Sequence, residues 1–200
     1  MISGLCSGLV LLYPAVAQAH LVNTQFGPFY DGLCHPFVTP TDLMMVLALS
    51  LLAGAAGPAA GRTALLSLTA SWLVGMLLGQ MEWSRPFTVP VSVAAGATLL
   101  VAVLVAARLR CSPAIIGVFS SVIGLGWGLT NGGEFRALTD GPLVLAGNVA
   151  CVFMVTAWVT SLAVKCSHGW QQIVVRVAAS WLVAINLLVL GWELRQRLAG

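Results

Sequence analysis

Six stretches of this chain carry no charged side chain: 43–61, 63–81, 86–107, 111–133, 141–164 and 177–192. A helix that crosses hydrocarbon needs about 20 mainly apolar residues, because the bilayer offers no partner to an unsatisfied backbone N–H or C=O. Each run supplies one such segment, and the sixth extends upstream if Arg176 snorkels. Hydrophobic residues make up 59% of the 200 and charged residues 8%, too little polar surface for a soluble domain of this size. The expected fold is therefore all-α: a polytopic membrane helix bundle, with six transmembrane helices forming one domain over residues 20–200 and lipid covering most of it. The formal net charge of +3 comes from scattered residues that form no basic face, which argues against a nucleic-acid partner.

Residues 1–19 stand apart as an apolar stretch ending in an A-x-A pattern at Ala17, Gln18 and Ala19. They are expected to form a signal peptide whose removal leaves His20 as the first residue. No Lys or Arg precedes the apolar run, so an uncleaved anchor is the alternative. With residue 20 outside, the connections near Arg62, Arg108 with Arg110, and Lys165 face the cytoplasm and contain no acid. The opposite connections mix Glu82 with Arg85, and Glu134 with Arg136 and Asp140. That asymmetry follows the positive-inside rule, although Arg195 and Arg197 in the exterior tail run against it.

Gly, Ala and Ser recur within the runs, as in SSVIGLGWGLTNGG. Such residues let helix backbones approach closely where lipid supplies no hydrophobic drive. Pro58, Pro90 and Pro113 fall near expected helix ends, where a missing amide donor costs least. The five cysteines include no C-x-x-C pair, so neither a disulfide framework nor a thiolate metal site is indicated.

Chemistry concentrates in two segments. Between His20 and Gly54, Asp31, His35 and Asp42 are spaced by four and seven residues, which one continuous helix would place on one face. Pro36 and Pro40 favour instead a broken or re-entrant start, with Asp42 in the first turn of helix 1. There Asp42 is either a helix cap or a site residue, since a carboxylate at the membrane boundary is costly unless paired, hydrated or coordinated. In the second segment, GLGWGLTNGGEF, Asn131 and Glu134 stand three apart at the end of helix 4 and share a face. Asn131 as a C-cap and Glu134 as a loop acid beside Arg136 are the plainer readings. With the N-terminus outside, both segments reach the same membrane face.

Imidazole with carboxylate suits divalent first-row cations. His20, His35, Asp42, Glu134, Asn131 and Asp31 are thus candidate ligands, and nickel, cobalt or copper the candidate ions. A free α-amino group on His20 would favour nickel or copper. Met44, Met45, Met76 and Met81 are ordinary filler before they are a copper path, and His168 reads as a loop residue. Trp83, Trp170 and Trp192 fall near helix ends, as interfacial anchors do.

These motifs resemble the HupE/UreJ family, small bacterial membrane proteins associated with nickel hydrogenases and ureases. In GLCHPFVTPTDLMMV, Gly32, His35, Pro36 and Leu43 match the pattern G-F-x-H-P-x-x-G-x-D-H-L-L-x-M. Thr39 replaces its glycine, and its Asp-His pair falls on Thr41 and Asp42. In WGLTNGGE, Gly128, Gly132 and Glu134 match F-H-G-x-A-H-G-x-E, while Trp127 and Asn131 occupy the histidine positions. The resemblance implies a six-helix fold with a pathway for nickel or cobalt, and the expected location is the bacterial inner membrane with the mature N-terminus outside, as the charge asymmetry suggests. The lost imidazoles would weaken or redirect binding, since Asn is a poor ligand and Trp none.

Two functions follow. One is a metal permease or metal-binding membrane protein that collects its cation at the external face. The other is a non-transporting accessory subunit, held in a larger membrane complex or a homo-oligomer by its small-residue faces. An enzyme is not expected: no G-x-S-x-G or H-E-x-x-H motif occurs, and no Walker motif that would use nucleotide.

Overall fold

Proline sets where most of the helices begin. A computed structural model describes residues 24–85, 87–109, 111–138, 140–166 and 169–199, and their regular structure is entirely helical. The helices are α1 (Pro28–Val38), α2 (Pro40–Ala56), α3 (Pro58–Gly79), α4 (Val91–Ala106), α5 (Pro113–Glu134), α6 (Gly141–Lys165) and α7 (Gln171–Ala199), with single 3-10 turns at Glu82–Ser84 and Phe135–Ala137. Pro28, Pro40, Pro58 and Pro113 are each the first helical residue, where the ring's fixed φ suits the helix and its missing N–H is not needed. Gly57, at φ 112° and ψ 178°, occupies a region open essentially to glycine alone, and turns the chain from α2 into α3.

Each charge-free run contains a helix, with two adjustments. The run 86–107 is helical only from Val91, because residues 87–90 are irregular and end in Pro90. Helix α7 extends upstream through Arg176, which stays exposed. Four helices, α3, α5, α6 and α7, are long and apolar enough to cross a membrane alone, and the bent pair α1 and α2 makes a fifth span if counted as one. At 16 residues, α4 is about 24 Å long, somewhat short of a ~30 Å hydrocarbon core. The chain is a multi-pass helical membrane protein. The expected signal peptide over residues 1–19, the A-x-A pattern and His20 lie outside the described residues, as does His168.

Helix α2 occupies the centre, and Met45, Ala48, Leu49 and Ala53 on it are fully buried. Helices α3 and α5 run parallel, in contact through glycines. A Cβ on Gly124 would strike Leu68 O, one on Gly128 would strike Trp72 O, and one on Gly132 would strike Met76 O. Gly75 and Gly79 meet α5 in the same way. Helices α2 and α6 are also parallel: Gly54 abuts Ala163, and Thr160 Oγ1 donates to Ser50 O at 3.4 Å. This is the small-residue packing anticipated from composition.

The polarity is unequal between the two ends. Where α2 and α6 begin and α3, α5 and α7 finish lie all six acids: Asp31, Asp42, Glu82, Glu134, Asp140 and Glu193. The other end carries Arg62, Arg108, Lys165 and Arg176 and, among the described residues, no acid.

Candidate functional site

The local sequence breaks the first span at the site. Thr39 precedes Pro40, whose ring disfavours the helical conformation there, and Thr39 sits at φ −106°, ψ 89°. Helices α1 and α2 consequently meet at a 76° bend. The broken start is what the structure adopts, so His35 and Asp42 occupy different helices. Pro36 is accommodated inside α1.

His35 is 1% exposed, deep in the angle of the bend. Its Nε2 lies 3.5 Å from Glu134 Oε2 and 3.3 Å from Thr39 Oγ1, and Phe135 packs edge-on against the ring with centroids 4.7 Å apart. Glu134 itself is 41% exposed, so the pair joins a buried imidazole to a carboxylate at the protein surface. Asp42 is buried in the first turn of α2, and its Oδ2 accepts a 2.9 Å hydrogen bond from Asn131 Nδ2. Asn131 Nδ2 also donates to Trp127 O at 3.0 Å, and its Oδ1 lies 3.5 Å from Asn148 Nδ2. Asn148 Oδ1 in turn accepts from Trp72 Nε1 at 3.0 Å. A buried polar chain thus runs from Asp42 through Asn131 and Asn148 to Trp72.

His35, Asp42, Asn131 and Glu134 therefore converge at one end of the bundle. Asn131 is an internal residue of α5, not its C-cap, and Glu134 faces His35, not Arg136. Asp31 is engaged elsewhere: its Oδ1 accepts from Thr24 N and Thr24 Oγ1 at 2.6 and 2.7 Å. Among the described residues, no three His, Cys, Asp or Glu side chains come together to hold a metal ion. His35 and Glu134 offer a two-donor pair at this acidic end of the bundle, its mouth end, and the Asp42 carboxylate at the same end is buried.

Sequence reasoning missed three residues. Asn148 and Trp72 extend the polar chain inward, and a lone Asn inside the charge-free run 141–164 was the available signal. Arg136 fastens the site's rim: it donates to Gln80 O at 3.1 Å, Gly79 O at 2.6 Å, Ser84 Oγ at 2.8 Å and also to Met81 O. These include end carbonyls of α3, which lack partners within their own helix. Nothing in the local sequence pairs Arg136 with a helix more than fifty residues earlier.

A profile of the family described as HupE / UreJ protein matches residues 8–189. The chain belongs to the HupE/UreJ family. No match was found among curated proteins or among solved structures. Within the HupE/UreJ motifs, the three positions that depart from the histidine pattern are neighbours in space. Asn131 hydrogen-bonds both the Asp42 side chain and the Trp127 carbonyl.

Proposed function

We infer that this HupE/UreJ protein is a permease for a divalent transition-metal cation, of nickel or cobalt type with copper as the third candidate. The observation that carries this reading is the His35–Glu134 pair at the mouth of a broken helix, with Asp42 buried at the same end. A carrier must bind its cargo firmly enough to admit it and weakly enough to release it. One borderline imidazole and one hard carboxylate, with a second carboxylate more deeply buried, suit exchange better than a closed set of four ligands would. The metal is cargo here, not a resident cofactor.

Orientation belongs to the same reading. With all the acids at the mouth end and only cations among the charged residues at the other, the positive-inside rule favours a mouth on the outer side of a bacterial inner membrane. Cleavage after Ala19 would put His20 and its α-amino group on that side, as a first contact for the cation. Mass spectrometry of the mature N-terminus tests that step directly.

Uptake by the full-length protein in proteoliposomes, followed with nickel and cobalt, tests the whole. Asp42→Ala and Glu134→Ala are each expected to reduce uptake strongly. Unchanged uptake in both would sink the permease.

Two observations favour a second reading. Asp42 is already bound to Asn131, and no three-ligand cluster exists among the described residues, as expected of an accessory subunit that retains the scaffold without transport. Wild-type protein that neither binds nor moves any of the three cations, but co-purifies with membrane subunits, would establish it.

A further inference from the structure

The end of the bundle opposite the mouth holds a cavity of about 160 Å³ between the last turns of α4 and α6 and the first turns of α7. Val105, Leu109, Ala163 and Val175 form its apolar wall, and Arg108 and Arg176 contribute its two charges. Neither guanidinium has a carboxylate against it among the described residues. Arg176 Nε donates to Ala106 O at 3.2 Å, covering one end carbonyl of α4.

Arg108 is the more informative of the two. Its N–H bonds Val105 O at 3.0 Å and the Leu109 N–H bonds Leu104 O at 3.0 Å, which together close α4 in a Schellman turn. The left-handed position of such a turn is usually glycine, and here it is an arginine at φ 59°. The fold tolerates this backbone conformation while aiming a long cation at a cavity that already contains another.

We propose that this cavity binds the phosphodiester headgroup of an anionic phospholipid. Two guanidiniums are suited to phosphate oxygens, and basic pockets between helix ends at a membrane face hold anionic headgroups. The apolar wall distinguishes the lipid from a free phosphate ion, because it gives the glycerol and upper acyl carbons a surface that inorganic phosphate cannot use. This assignment does not depend on what crosses the mouth at the other end.

Native mass spectrometry of the full-length protein in detergent, titrated with phosphatidylglycerol, phosphatidylcholine or inorganic phosphate, tests it. One phosphatidylglycerol per chain should be retained in preference to phosphatidylcholine, and its retention should fall with rising salt. Arg108→Gly places the favoured residue in the left-handed turn, so the fold should persist while retention drops about tenfold, and Arg176→Gln should do the same. A control pair, Arg62→Gln with Lys165→Gln, removes two cations that line a separate cleft at this end and should leave retention unchanged. Equal retention of phosphatidylcholine, equal loss in the control pair, or unchanged retention in both arginine variants would overturn the site. Displacement by inorganic phosphate alone would assign the free anion and overturn the lipid.

Discussion

Asn131 Nδ2 and Asp42 Oδ2 lie 2.9 Å apart, joining the end of α5 to the start of α2 across 89 residues of sequence. Both occupy positions where the family pattern has histidine, so two imidazoles are replaced by a carboxamide and a carboxylate that satisfy one another. Asn131→Leu removes the donor and leaves a buried carboxylate without it, a loss of about 1–3 kcal/mol. Thermal unfolding in detergent should show a lower Tm, whereas Asp42→Asn, similar in shape and uncharged, should unfold close to wild type.

Restoring an imidazole tests the same pair from the binding side. Asn131→His puts a nitrogen ligand beside Asp42, at the end of the bundle where His35 and Glu134 pair. Nickel affinity measured by calorimetry should rise about tenfold or more, the gain of one good donor bond. No change would mean that position 131 does not face the cation.

His35 and Glu134 should act as a unit, because they touch. In a double-mutant cycle on nickel binding, His35→Ala and Glu134→Ala should each cost affinity, while the pair together costs less than the sum. A coupling of about 0.5–3 kcal/mol is the range for residues in contact. Strict additivity would show that the two act independently and not as a unit.

The fold was legible because its cause is one-dimensional. Charge-free runs of bilayer length mark helices, and each run contained one. Prolines at 58 and 113 marked starts, and Pro40 marked the break. The site was legible in part: helix topology alone brings His35, Asp42, Asn131 and Glu134 to one end, since α2 begins where α5 finishes. Side-chain pairing was not legible, because it depends on helix rotation. Arg136 stands two residues from Glu134 yet crosses to α3, and Glu134 turns to His35. Asp31, on the same helix as His35, hydrogen-bonds backward to Thr24.

The glycine seam between α3 and α5 predicts a sharp positional contrast. A methyl at Gly128 or Gly132 would meet backbone carbonyls, which cannot move out of the way as a flexible side chain can. Gly128→Ala and Gly132→Ala should each destabilise by about 1–3 kcal/mol. Gly96 has open space around it, so Gly96→Ala should be neutral or slightly stabilising through helix propensity. Tm values of the three variants in one detergent would check the seam.

Arg136 offers the last test, because it separates charge from geometry. Its guanidinium reaches the carbonyl oxygens of three consecutive residues, Gly79, Gln80 and Met81, and the Ser84 hydroxyl. A lysine ammonium keeps the charge near the negative end of α3 but lacks the planar fork that reaches several acceptors at once. Arg136→Ala should cost about 1.5–3 kcal/mol, the range for hydrogen bonds to a charged group. Arg136→Lys should recover only part of it. Because Arg136 follows Glu134 by two residues, loosening it should also let the carboxylate drift from His35. Nickel affinity should therefore fall in both variants even at temperatures where the protein remains folded, and unchanged affinity in Arg136→Ala would show that the rim holds without this anchor.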